Sequence, residues 1–426
     1  MNAIWKENKQ YILWGIYALA IALFLAWIGP IVGNQKLSRL IQATVSGILV
    51  GGIYALTGLG IVVVTKASGV FNFAHGYMMV IGGLLFWTFF TTSDAGTARV
   101  GIGAAIIFAF IATAIFLSTT TEESSDDFWK KKPDNPLGNA ALSLAHRLAI
   151  PHLLRKDNLI KLIVATAIIA VLMTIGGTSL RWLHAIVGTL TGAVLLGLII
   201  ERFAIRPLVG QPVIAMILMT LAVTEVLQGF VQFAWGPLDR TLPIFDIFEE
   251  MGIPSTLRLD YRPTLDGIII VRTGILFAFI LAIVAAVGFI LFFRYAQIGL
   301  AMRAVSEDQQ LAQSVGLRVR GILAAVWGIA ALLAGIGGVL MGGATSVTPA
   351  ISLIALRAFP AVLLGGLESI EGVLIGGIVI GLVEQWANLL FPGSQAGPDL
   401  APYLVLMVVL VIRPQGLFGE KIIERI

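Results

Sequence analysis

Runs of about twenty apolar residues recur along almost the whole chain, from Tyr11 to Arg413, broken by short polar segments that hold most of the charge. A helix needs roughly 20 such residues to cross a bilayer, and in lipid only helices and closed barrels satisfy every backbone polar group internally. The candidate spans are 11–29, 41–64, 68–90, 99–117, 161–178, 181–201, 213–234, 272–293, 321–343, 349–364, 372–390 and 401–413. The runs that begin at Ser68 and Pro349 contain polar or helix-breaking residues and read as broken or re-entrant segments. The fold class is therefore an all-α polytopic membrane protein with roughly 10–12 transmembrane or re-entrant helices.

Composition supports this reading where it bears on partners. With 58% hydrophobic and 12% charged residues, the chain carries more apolar surface than one soluble core needs. The net charge of +4 lies in loops, as an orientation signal and not as a nucleic-acid surface. The absence of cysteine excludes disulfides and thiolate chemistry. Arg202, Arg206, Arg294, Arg303, Arg318, Arg320, Arg413 and Lys421 fall on one side if every run crosses, which makes that side and both termini cytoplasmic. The same parity sends the loop from Pro237 to Arg272 outside, against its own Arg240, Arg258 and Arg262. The first run lacks a small-residue cleavage site before Asn34 and reads as a retained anchor. The stretch from Thr119 to Lys161 carries an acidic and then a basic run and reads as a solvated loop ending in an interfacial helix near Leu142–Leu154.

Four groups of residues carry information. Asn72, His75 and Gly76, among Phe71 and Phe73, put polar groups and glycine inside an apolar run, which suggests backbone released from helical bonding beside a pathway. A buried polar pair, with His75 satisfied by a backbone carbonyl, is equally compatible. Glu225 sits near the middle of its run with Thr220, Thr224 and Gln228 at helical spacing, a polar stripe expected to face the bundle interior. Glu384 with Gln385 is a second case, read as structural. Paired glycines at Gly47–Gly51, Gly188–Gly192, Gly372–Gly376 and Gly377–Gly381 predict close helix crossings. The segment Arg294–Gly321 predicts a short amphipathic helix over 299–316, with Leu300, Ala304, Leu311, Ala312 and Val315 on its apolar side and Arg303, Glu307 and Asp308 facing away. Composition alone leaves two readings of it open, a helix docking on a cytoplasmic partner and an ordinary loop.

Five strings in fixed order resemble permeases of branched-chain amino acid type ABC importers: ASGVFNFAHGYMMVIGG (67–83), ERFAIRPL (201–208), the segment at 294–321, AFPAVLLGGLESIEGVLIGGIVIGLVE (358–384) and RPQGLFG (413–419). The likeness covers residues 41–90 and 181–419. It implies the ABC importer permease fold, with first permease helices and the broken NFAHG stretch in 41–118 and the remaining helices with a coupling helix (299–316) in 161–426, while the residues themselves add an N-terminal anchor helix in 1–40 and a charged insert in 119–160. It also implies partners: a second permease subunit, two cytoplasmic ATPase subunits and an extracytoplasmic solute-binding protein, in the bacterial inner membrane. ATP and Mg would then sit on the partner ATPases, since no G-x-x-x-x-G-K-[ST] occurs and this chain holds no cofactor of its own. The implied coupling residues are Arg303, Glu307, Asp308, Ala312 and Gly316. The implied cargo is a branched-chain amino acid, with urea or short amides as alternatives in the same family. The anchor helix and the block from 99 to 178 exceed the family pattern. An ion-coupled secondary transporter would instead require charged pairs within spans. No H-E-x-x-H or G-x-S-x-G motif supports an intramembrane enzyme.

Overall fold

The computed structural model describes residues 36–94, 109–111, 113–115, 156–174, 181–208, 210–237, 239–246, 251–260, 268–393 and 396–419. The expected anchor helix, most of the 99–117 run and nearly all of the charged insert lie outside the described residues. Twelve helices organise the rest: α1 (Leu37–Ser68), α2 (His75–Asp94), α3 (Lys156–Thr174), α4 (Arg181–Ile199), α5 (Val213–Trp235), α6 (Thr273–Tyr295), α7 (Gln297–Glu307), α8 (Gln309–Ser314), α9 (Val319–Ala344), α10 (Ser352–Gly365), α11 (Ile370–Leu390) and α12 (Ala396–Ile412). Six helices among the described residues are long and apolar enough to cross a membrane, and four shorter apolar helices accompany them. This is the polytopic all-α protein that the apolar runs predict.

α1 forms the centre. It is buried along most of its length, and its most extensive contact is with α11. The reason is steric: a Cβ on Gly51 would lie 2.7 Å from the Ile378 Cα, and one on Gly377 would lie 2.5 Å from the Ala55 nitrogen. Two backbones meet there with no side chain between them, which is how helices associate in lipid. The glycine pairs at 47–51 and 377–381 are thus the crossing itself. α9 crosses α1, α2 and α4 in the same core, with Trp327 fully buried.

The break expected after Ser68 is present, and it moves the start of the next helix from 68 to His75. Gly69 closes α1 in the left-handed region at φ 70° and donates to the Thr65 carbonyl at 2.8 Å. The run at 349–364 resolves into one 3-10 turn at Pro349–Ile351 followed by α10.

The loop between α5 and α6 departs from expectation. It contains an antiparallel hairpin, β1 (Thr256–Asp260) and β2 (Ile268–Arg272), paired from Thr256↔Arg272 to Asp260↔Ile268. In β2, Ile269 and Val271 are buried with Leu49 while Ile268 and Ile270 are exposed, the alternation of a half-buried strand. Gln42 of α1 clamps the hairpin edge: its amide donates to the Ile270 carbonyl at 2.7 Å and accepts from the Ile270 N–H at 2.6 Å. Replacing Gln42 by alanine removes both bonds. The expected cost is about 1–2 kcal/mol of local stability, read as faster amide exchange at Ile270 and its β1 neighbours with little change in global melting.

Candidate translocation site

Asn72 builds the start of α2 inside the bundle. Its side-chain oxygen accepts from the Ala74 N–H at 3.1 Å, its carbonyl accepts from the His75 N–H at 3.3 Å, and its amide meets the Met78 sulfur at 3.5 Å. An Asn at this position satisfies donors that the helix itself leaves open. His75 is fully buried beside Gly60 of α1, roughly 12 Å along the helix from Ser68 at 1.5 Å per residue. α2 is therefore a helix that begins within the depth of the bundle. Neither ring nitrogen of His75 has a partner at full hydrogen-bond geometry, and the Thr57 backbone approaches the ring. Gly76 passes against the backbone of Ser352, where a Cβ would be 3.0 Å from the Ser352 Cα.

Phe71 joins this break to two other helices. Its carbonyl accepts from the Thr220 hydroxyl of α5 at 3.3 Å, and its ring meets Phe359 of α10 edge-on at 4.7 Å and Phe73 at 4.6 Å. Phe71 and Phe73 remain partly exposed. The polar stripe of α5 continues outward from there: Thr220 is buried, Thr224 and Gln228 are partly buried, and Glu225 is exposed. This corrects the expectation that Glu225 faces the interior of its own bundle. The buried side of α5 is carried by Met216, Thr220, Leu227 and Val231, and Glu225 points away from it.

Glu384 holds a different position. Its carboxylate accepts from the Tyr54 hydroxyl at 2.5 Å and from Arg357 at 3.0 Å, and Arg357 reaches Asp399 at 2.7 Å. These residues tie α1, α10, α11 and α12 together within the apolar layer, and Tyr403 adds a bond to the Leu356 carbonyl at 3.1 Å. The structural role read for Glu384 is this network. Arg357 and Asp399 were not among the candidates, although an arginine inside the 349–364 run, opposite an acid in the 372–390 run, is a signal that charge pairing supplies.

The segment at 299–316 is two helices, not one. The chain breaks at Asp308, whose φ is −155°, and the Asp308 carboxylate accepts from the Leu311 N–H at 2.9 Å to start α8. The predicted apolar side divides accordingly. Gly299, Met302, Val305 and Ala312 are buried, whereas Leu300, Leu311 and Val315 are 61%, 62% and 70% exposed. Arg303 does not face away: it donates to the Arg294 carbonyl at 3.1 Å and lies over the Phe293 ring. Glu307 is exposed. Gly316 takes φ 87°, a turn that L side chains resist.

The two remaining motifs are explained by the backbone. In ERFAIRPL, the helix widens into a π turn at Ile200–Ile205, and Arg206 grips the buried Glu201 through two bonds at 3.0 and 2.9 Å. In RPQGLFG, Gly416 at φ 81° lets Leu417 and Phe418 donate to the Leu364 and Gly365 carbonyls at 2.8 and 3.1 Å. Among the described residues no group of three or more His, Cys, Asp or Glu could hold a metal ion.

Known proteins resemble this chain over much of its length. A family model described as the branched-chain amino acid transport system permease component matches residues 160–412. That range takes in α5, the segment at 299–316 and the Arg357–Glu384 pair, but not the NFAHG break. The high-affinity branched-chain amino acid transport system permease protein LivH of Salmonella typhimurium is 28% identical over 270 residues, which are 62% of this chain and 83% of LivH. The corresponding protein BraD of Pseudomonas aeruginosa is 24% identical over 388 residues, 91% of this chain and 98% of BraD. A probable LivH of Methanocaldococcus jannaschii is 28% identical over 244 residues, 55% of this chain and 72% of its own. No solved structure matches the chain.

Proposed function

This chain belongs to the branched-chain amino acid transport permease family, and on that premise we propose that it carries leucine, isoleucine or valine across the bacterial inner membrane by alternating access. It is the permease subunit of an ATP-binding-cassette importer. Two cytoplasmic ATPases hydrolyse ATP with Mg, and a solute-binding protein on the other side delivers the cargo. The observation that carries this reading is the family match across 160–412, a range that spans both the pathway helix α5 and the segment that would meet the ATPases.

Two structural features support the mechanism. A helix that starts inside the bundle, capped by Asn72 and neighboured by Phe71, Phe73, His75 and Gly76, offers irregular backbone where a water-filled route tolerates it. On the side that carries Arg294, Arg318 and Arg320, taken as cytoplasmic by the positive-inside rule, Leu300, Leu311 and Val315 present apolar side chains with Glu307 beside them. Exposed apolar residues on short helices outside the spans fit a groove on an ATPase. Asp308, Ala312 and Gly316 shape that surface, and Arg303 braces it from within.

Replacing Leu311 by glutamate tests the docking surface, because a charge forced against an apolar groove costs several kcal/mol. Affinity purification of the tagged chain from gently solubilised membranes is expected to recover an ATPase with the wild type and on the order of tenfold less with L311E. Equal recovery would remove α8 from the interface. A second reading has one observation in its favour: the Tyr54–Glu384–Arg357–Asp399 network is the charged pairing within spans that an ion-coupled transporter requires. Uptake that survives ATP depletion but collapses with the ion gradient would select it over the importer.

A further inference from the structure

Three cations line one cavity at the level where apolar spans give way to polar turns. Lys66 stands in the last turn of α1, Arg294 in the last turn of α6 and Arg303 on α7, around a space of about 310 Å³ that the first residues of α11 also border. Glu368 and Glu371 line it too, yet among the described residues no ion pair joins either acid to any of the three cations. Lys66 is held instead by the Glu368 carbonyl at 3.1 Å, and Arg303 by the Arg294 carbonyl at 3.1 Å with its guanidinium over the Phe293 ring. Neutral carbonyls position a side chain without cancelling its charge. The Nε of Arg303 is moreover buried without a hydrogen-bond partner, and a buried N–H on a charged group is costly until an acceptor meets it. The cavity therefore combines unpaired positive charge with a donor that calls for an acceptor.

We propose that this cavity holds the phosphate of an anionic phospholipid. Its depth fits: α1 and α6 end there and α11 begins there, which is the level of the headgroups. The side that carries Arg294 is the cytoplasmic one by the positive-inside rule, and basic pockets between helices on that side suit the anionic headgroups of that leaflet. Charge balance selects the kind of phosphate. Against three cations the two carboxylates leave one net positive charge. A phosphodiester brings one negative charge and neutralises it, whereas a nucleotide or polyphosphate brings several and would leave the excess beside Glu368 and Glu371. The phosphate oxygens would accept charge-assisted hydrogen bonds from Lys66, Arg294 and Arg303. The remaining lining is apolar: Ile290 and Phe293 of α6 border the same space, and Phe418, with Leu367 nearby in sequence to Glu368, offers exposed surface to acyl chains. A lipid seated there ties the end of α1 to the α6–α7 corner, whatever solute the protein carries.

The test measures binding of phosphatidylglycerol to the full chain, delipidated in mild detergent, by thermal shift and native mass spectrometry. Phosphatidylglycerol is expected to raise the melting temperature of the wild type saturably, and phosphatidylcholine, whose headgroup is neutral overall, to have little effect. R294Q should weaken phosphatidylglycerol binding about fivefold and the double variant K66Q, R294Q on the order of twentyfold, at roughly fivefold per cation beside an anionic headgroup. Arg294 is exposed and its guanidinium makes no hydrogen bond among the described residues, so R294Q should fold as the wild type does. K161Q removes an exposed lysine near the start of α3, outside the cavity, and should bind like the wild type. Equal weakening by K161Q, or none in the double variant, would reduce the effect to general surface charge and overturn the site. Inorganic phosphate forms a second arm: a shift from phosphate alone, to which phosphatidylglycerol adds nothing, would make this a site for a free anion and overturn the lipid. In the assembled complex with its ATPases the lipid is expected to stay bound; its release on assembly would give the cavity to a protein side chain and overturn the proposal.

Discussion

Placing leucine at Gly51 is expected to abolish recovery of folded protein, because the new side chain would have to occupy the space of the α11 backbone. A Cβ there already lies 2.7 Å from the Ile378 Cα and 2.8 Å from the Gly377 carbonyl oxygen, and neither helix can yield without disturbing the centre of the bundle. Overpacking in a flexible core costs about 1–3 kcal/mol; a clash with backbone exceeds that range, since no rotamer change relieves it. The measurement is the yield of monodisperse protein in mild detergent. G288L serves as the control: a Cβ at Gly288 meets nothing within 4 Å, so that variant should be recovered like the wild type. Normal recovery of G51L would mean that α1 and α11 do not cross as closely as described.

The second large effect is expected at Arg357. Its loss leaves Glu384, 8% exposed, without its cationic partner in an apolar layer. Arg357 itself is 37% exposed, so water screens part of the pair, and the expected cost is that of leaving a buried acceptor without its partner, about 1–3 kcal/mol. R357L is therefore expected to lower the melting temperature of the purified protein by several degrees. The triple variant R357L, E384L and Y54F removes both charges of the Arg357–Glu384 pair and the hydroxyl that bonds Glu384, leaving only Asp399, which is 53% exposed to water. It should regain most of the loss, since an apolar replacement of a buried pair is often neutral. A triple variant as unstable as R357L would show that the network is required as such, and the four helices would need another explanation for their cohesion.

The spans were legible because twenty apolar residues in a row leave a chain few options. The crossing of α1 and α11 was legible for a related reason, since glycines four apart have little use in lipid except close approach. The hairpin was harder to see. Leu257 and Leu259 alternate with Thr256, Arg258 and Asp260, but Ile268–Val271 is continuous, and a strand that packs on one helix shows its period only once Leu49 is known to lie beneath it. The break at Asp308 has a local cause, a carboxylate that caps the following turn, which helical periodicity alone averages away. Glu225 shows the deeper limit. Sequence gives a charge in a span and the rule that it must avoid lipid; it does not say whether shelter comes from its own bundle or from a neighbour. Arg357 was passed over for the opposite reason: its partner Glu384 lies 27 residues along the chain, and pairing across helices has no signature in sequence spacing.

At 32 residues, α1 measures about 48 Å, well beyond the roughly 30 Å of hydrocarbon it crosses. Gln42 fastens one of its ends to the hairpin, and Lys66, donating to the Glu368 carbonyl at 3.1 Å, fastens the other to the turn before α11. One continuous helix pinned at both faces contains no loop at which one half can move alone. Whatever tilts the hairpin must swing the Glu368 turn in the opposite sense, so the two mouths of the protein are geared to each other by a single unbroken helix.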